Sequence, residues 1–115
     1  MDLQTLKQQL RDFADSSDSN QFHSPKNLAM ALSVEAAEIV EHFQWLTQEQ
    51  SRNLPQDKLD EVGSELADTF LYLVRLADKL DIDLLSAAQA KIALNGKKYP
   101  VEQSRGNARK YTEFK

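Results

Sequence analysis

From Leu28 to Leu46 the chain repeats a step of four residues and then three: Leu28, Leu32, Glu35, Ile39, His42, Leu46. That is the spacing of a helix packed along one seam. It excludes a strand, whose side chains alternate at every residue. The remainder follows suit. Leu3, Leu6, Leu10 and Phe13 mark a first amphipathic helix that ends in the polar run from Ser16 to Asn20. Ser24-Pro25 starts a second, with serine as cap and proline at the first helical position, and this helix runs to about Leu46. Thr47 and Gln50 have the spacing of a capping box for a short helix ending before Pro55. A long helix is expected from about Gln56 to Leu80, and then one capped by Asp81 or Asp83 that stops near Asn95-Gly96. No alternating pattern and no internal repeat interrupts this series, so the fold class is all-α.

The seam has an anomaly in its middle. Glu35 occupies a core position and Glu38 lies one turn along at the edge, whereas Glu41 points away and is solvated. In the long helix the expected main seam is Leu59, Gly63, Leu66, Phe70, Leu73, Ala77 and Leu80, and Leu66 to Ala77 is apolar in nearly every direction. Glu61, Glu65, Asp68 and Tyr72 form a separate stripe bordering that belt. Buried carboxylates must protonate, meet cations or hold a metal. Beyond its cluster the long helix offers only Arg75 and Lys79, and the second helix offers only Lys26 near its start, too few to neutralise four acids. Two E-x-x-[ED] pairs on adjacent helices would make an all-oxygen cage for a hard cation such as Mg²⁺, with Mn²⁺ as a substitute. His42 reads as a hydrogen-bonded core histidine, and Lys97 and Lys98 suit a helix C-terminus with no ligand at all.

Composition sets outer limits. A chain of 115 residues with 41% hydrophobic and 28% charged content fits one domain spanning 1–115. It has no cysteine, so neither disulfides nor thiolate metal sites arise. No apolar run approaches the roughly 20 residues that cross a bilayer, and the N-terminus lacks a signal peptide's order, so a cytoplasmic location with no membrane partner is expected. Residues 1–96 carry 8 basic and 16 acidic side chains, while the C-terminal segment 97–115 carries 6 and 2. An acidic body argues against a nucleic acid polymer as partner. A phosphate ligand remains open, because a divalent cation can bridge it to carboxylates.

"EAAE" (35–38) and "ELAD" (65–68), with 26 residues between Glu38 and Glu65, together with "FHSPKNL" (22–28), "EHFQWL" (41–46), "LYLVRLA" (71–77), "NGKKYP" (95–100) and "RKYTEF" (109–114), carry a likeness. In order and spacing they resemble the MazG-like all-α nucleoside triphosphate pyrophosphohydrolases, in the dCTP pyrophosphatase branch. The resemblance implies a four-to-five-helix bundle completed by a dimer or tetramer. It also implies Mg²⁺-dependent hydrolysis of a (d)NTP to the monophosphate and pyrophosphate. By the same resemblance Glu35, Glu38, Glu65 and Asp68 are the metal ligands and catalytic acids. Asn95, Lys98, Tyr99 and Tyr72 match phosphate-binding positions, and His23 and Trp45 match positions lining the base pocket. Two positions depart from the branch. Ser19 stands where a tryptophan often precedes the "FH" pair, and Gly96 stands where a basic residue usually follows the asparagine. A di-iron carboxylate bundle fits poorly, since it needs E-x-x-H on two helices. A non-catalytic helical interaction module would leave the carboxylate spacing to coincidence, and a hydrolase for another nucleotide such as dUTP is the nearer rival.

Overall fold

A computed structural model describes residues 1–98. Five α-helices succeed one another: α1 (Leu3–Ser16), α2 (Pro25–Phe43), α3 (Gln48–Arg52), α4 (Gln56–Lys79) and α5 (Leu84–Lys98). A single 3₁₀ turn (Asn20–Phe22) separates α1 from α2, and no strand occurs among the described residues. None of these helices is long and apolar enough to cross a membrane.

Local chemistry accounts for the boundaries. Asp2 accepts the Thr5 amide at 2.8 Å to start α1, and Ser24 accepts that of Asn27 at 3.1 Å ahead of Pro25. The capping box at α3 is complete, with the Gln50 amide donating to Thr47 Oγ1 at 3.1 Å and the Thr47 amide to Gln50 Oε1 at 2.9 Å. Of the two aspartates offered as the α5 cap, Asp83 serves, accepting the Ser86 amide at 3.1 Å. Asp81 instead adopts the left-handed conformation (φ 56°) that ends α4. Helix α2 stops at Phe43, three residues short of the expected Leu46, and α5 continues through Gly96 to Lys98. A helical glycine costs only about 1 kcal/mol, which does not oblige a helix to stop there.

The chain divides into two compact units, Met1–Asp81 and a second beginning at Ile82 that contains α5. In the first, α2 and α4 form the principal packing, with α1 laid on α4 and the 3₁₀ turn against α1. The fully enclosed core is small: Ala14, Leu28, Val62, Val74 and Ala77, joined by the buried Arg75. Its α4 register differs from the expected one. Lys58, Val62, Glu65, Thr69, Tyr72 and Leu76 are the covered stripe, again at steps of four and three. Of the stripe anticipated as the main seam, only Ala77 is buried, while Leu66 (53% exposed), Phe70 (46%), Leu59, Leu73 and Leu80 face outward. The two stripes lie one residue apart, and apolarity alone favours the one that this chain leaves uncovered. Glu65 therefore sits within the packing seam rather than beside it.

Leu28 is fully enclosed, so Leu28→Ala should cost about 2–5 kcal/mol of stability by cavity formation. Removing the Ser24 cap in Ser24→Ala should cost about 0.5–2 kcal/mol. Denaturant unfolding of both variants beside the parent checks the order of these effects.

Candidate active site

Because α2 and α4 pack along their seams, the glutamates at seam positions are forced together. One carboxylate oxygen from each of Glu35, Glu38 and Glu65 lies within 4.8 Å of the other two, and all three residues are half-buried. Oε2 of Glu35 and Oε2 of Glu65 are fully buried, with no hydrogen-bond partner among the described residues. Among the described residues, several cations are paired with other groups. Lys58 donates to Glu61 at 3.2 Å and lies 3.5 Å from His42 Nδ1, Arg11 forms a bidentate pair with Asp78, and Lys79 donates to Asn20 at 2.7 Å. His42 is thus the hydrogen-bonded histidine expected from its seam position.

The acids respond as crowded, poorly solvated groups do. Burial first, then hydrogen bonding to Glu65 and Glu38, then the charges of Glu38 and Asp68, push the Glu35 carboxyl up to about 7 from an ordinary 4.5. Burial and the Glu38 carboxyl also raise Glu65. Asp68 lies outside the three-oxygen cluster and is exposed, yet its charge acts on both glutamates. Three of the four acids assigned as metal ligands therefore converge, and the fourth stands beside them. Two buried oxygens without donors, in an all-oxygen set, fit a hard divalent cation.

Asp68 also lines a cavity of about 360 Å³. Leu10 and Phe13 contribute from α1, Ser19 and His23 flank the 3₁₀ turn, and Leu71, Tyr72 and Arg75 come from α4. Tyr72 and His23 are thereby brought to one place next to the acids. Ser19 lines this cavity too, so the departure from the family pattern falls on its wall, where Phe13 supplies an aromatic ring that sequence reasoning did not single out. Trp45, just past the end of α2, is 86% exposed and is not among the residues lining this cavity. Asn95 and Lys98 occupy the last turn of α5, in the second unit, and Tyr99 lies outside the described residues. Sequence reasoning counted Arg75 as an available cation but gave it no place in the site; it is 6% exposed and hydrogen-bonded to His23 and Asn20. A cation inside the apolar belt from Leu66 to Ala77 was the available signal, since a buried charge requires partners.

A model of the MazG-like family matches residues 30–114, which include all four acids. The chain belongs to the MazG-like family. It is 38% identical over 114 residues to dCTP pyrophosphatase 1 of Mus musculus and 36% identical over 115 residues to that of Homo sapiens. Each alignment covers 97% of this chain and 67% of the relative. A crystal structure of a pyrophosphatase from Archaeoglobus fulgidus superimposes with a TM-score of 0.80 at 37% identity, covering 84% of this chain and 91% of that one. The MazG-like fold thus accounts for the helical order.

The raised acids dictate a pH dependence. Between 4.5, where an unfolded Glu35 titrates, and about 7, where the folded one does, the native state binds more protons than the unfolded chain. This contribution to stability is complete below 4.5 and lost as pH rises through 7. The raised Glu65 adds to this contribution, whereas His23, lowered from 6.5 chiefly by burial, opposes it within the same interval. Asp78, lowered from 3.8 chiefly by its hydrogen bond to Arg11, opposes it only at lower pH. Metal-free protein should accordingly melt at a higher temperature at pH 5.5 than at pH 7.5, and Mg²⁺ should narrow the difference by replacing the proton. A melting temperature that rises over this interval in metal-free His23→Gln, where the opposing histidine is removed, would contradict the crowding of Glu35.

Proposed function

We propose that this chain is a Mg²⁺-dependent nucleoside triphosphate pyrophosphohydrolase, converting a (d)NTP to the (d)NMP and pyrophosphate, with dCTP among its better substrates. The observation that carries this reading is the convergence of Glu35, Glu38 and Glu65, with two buried oxygens lacking donors, beside a cavity that Asp68 shares. An interaction module would have no use for such oxygens. The dCTP pyrophosphatase relatives and the pyrophosphatase fold support the choice of reaction.

Glu35, Glu38, Glu65 and Asp68 would hold the cation. When bound, Mg²⁺, or Mn²⁺ in its place, offsets the triphosphate charge and makes a coordinated water more acidic. The protein's own part is positioning and proton transfer. A carboxylate of the cluster takes a proton from the water that attacks the α-phosphorus, the bond from that phosphorus to the α–β bridging oxygen breaks, and pyrophosphate leaves. Tyr72, together with Asn95, Lys98 and Tyr99, is assigned to the phosphates by the family pattern. The cavity between α1 and α4 takes the base, with His23 on its wall.

Base choice follows from the same wall. Aromatic stacking contributes about 1–3 kcal/mol per base. With Ser19 in place of a tryptophan, Phe13 remains as the aromatic surface of the cavity from α1. Selectivity should therefore be broad among pyrimidine nucleotides, dUTP included. Trp45 is 86% exposed, so in the base-binding role it would act on the cavity of another copy of the chain.

Assembly fits the uncovered stripe of α4. Leu59, Leu66, Phe70, Leu73 and Leu80 make a continuous apolar face that suits burial against a second copy, as a dimer or tetramer.

Pyrophosphate release from a panel of nucleotides, with and without Mg²⁺, tests the reaction. Glu38→Gln and Asp68→Asn should each lower turnover by at least about a hundredfold while the protein stays folded, because each removes a charged ligand but keeps its shape. Near-normal turnover of both at saturating Mg²⁺ would defeat the assignment. For assembly, light scattering at micromolar concentration should report a dimer or larger, and Phe70→Glu should shift it towards the monomer. A monomeric parent protein would refute the role given to that face.

A further inference from the structure

The buried cation of α4 has no part in the reaction as described, yet it touches the cavity. Arg75 Nε donates to His23 Nδ1 at 3.1 Å, its Nη2 donates to Asn20 Oδ1 at 2.6 Å, and its Nη1 lies 3.5 Å from Asp78 Oδ2. Asp78 in turn receives Arg11 Nε at 2.7 Å and Nη2 at 2.5 Å. Asn20 is shared with Lys79. The backbone around the histidine is fixed as well, with the His23 amide donating to Asn20 O at 3.1 Å and Asn27 Nδ2 to Phe22 O at 3.0 Å.

A guanidinium only donates hydrogen bonds and does not lose its proton in proteins. Nδ1 of His23 must therefore be the acceptor, and in the neutral ring the proton then resides on Nε2. Because Arg75 occupies Nδ1, Nε2–H is the group left for a ligand in the cavity that both residues line. We infer that Arg75 is a positioning residue that fixes His23 as an Nε2–H donor, so that the bound base must present a hydrogen-bond acceptor, a ring carbonyl or ring nitrogen, to it. This rests on the reading of the cavity as the base site.

The surrounding charges agree. Burial, then Arg75 and Lys79, hold His23 below its ordinary value of 6.5. Of the other charged groups nearby, Asp78 is engaged by Arg11 and Arg75, and Asp68 lies on the cavity wall. His23 thus stays neutral, with a single proton to place.

Arg75→Met suits the test, because Asp78 keeps Arg11, Asn20 keeps Lys79, and the methionine fills much of the vacated volume. Nitrogen-15 spectra of the histidine rings, assigned with His23→Gln, should show only the Nε2–H tautomer in the parent and a mixture in Arg75→Met. The Michaelis constant for dCTP should rise about fivefold in Arg75→Met, with turnover within about twofold, as expected for a lost neutral hydrogen bond that binds substrate and transition state alike. The double variant Arg75→Met/His23→Gln should be no worse than His23→Gln alone. If His23→Gln raises the Michaelis constant but Arg75→Met leaves both spectrum and kinetics unaltered, or if the two losses simply multiply, the role of Arg75 is overturned while the base site stands. If His23→Gln leaves the Michaelis constant unchanged for every nucleotide hydrolysed, the base site itself fails and this inference with it.

Discussion

Repulsion among Glu35, Glu38 and Glu65 is the constraint around which the first unit is arranged. Packing α2 on α4 along four-three seams places these acids where oil-like side chains would ordinarily interlock, and two of their oxygens end up buried without a donor. The cost appears in the Glu35 carboxyl, which keeps its proton until about pH 7. Any other response would have required a cation, and among the described residues Lys58, Arg11 and Lys79 are paired with other groups. A site this strained persists when the surroundings over-determine it, and a ligand that relieves the strain gains affinity from doing so.

The surroundings do so largely through polar contacts. With five enclosed apolar residues, the hydrophobic core of the described residues is slight for a helical unit of this length. What fastens α1 and the 3₁₀ turn to α4 is the chain of bonds from Arg11 to Asp78, and from Arg75 to Asn20 and His23. Buried polar networks are directional, so they fix the relative placement of elements where apolar contact would allow sliding. The apolar surface that a larger core would have absorbed remains on the outer stripe of α4.

Much of this was legible from residues alone. Ser24-Pro25 and the Thr47–Gln50 box each encode a local rule, and each helix began where its rule placed it. Glu35 and Glu38 were legible because they interrupt a seam. The α4 register was not, because two stripes one residue apart satisfy the same periodicity and only the partner helix chooses between them. Asp68 beside rather than within the cluster follows from that choice. The end of α5 was misjudged because asparagine-glycine is permitted inside a helix as well as beyond it. The cavity was hidden for a different reason. Phe13 and His23 are ten positions apart on either side of a turn, and no pattern in the chain states how the turn folds back.

Helix α4 links these parts. Glu65, Asp68, Tyr72 and Arg75 recur at intervals of three and four, so they share one face over about 15 Å of a single rigid helix. The first belongs to the acidic cluster, the second borders both cluster and cavity, and the last two line the cavity. On the proposed reading, one helix therefore sets the distance between the reacting phosphate and the base, and that distance does not depend on loop conformation. The remaining cavity wall comes from α1 and the 3₁₀ turn, which contribute Leu10, Phe13, Ser19 and His23 but no acid of the cluster. Substitution there can alter which base fits without moving a carboxylate. Ser19 is such a substitution, and its effect should fall on selectivity while the chemistry on α2 and α4 stays intact.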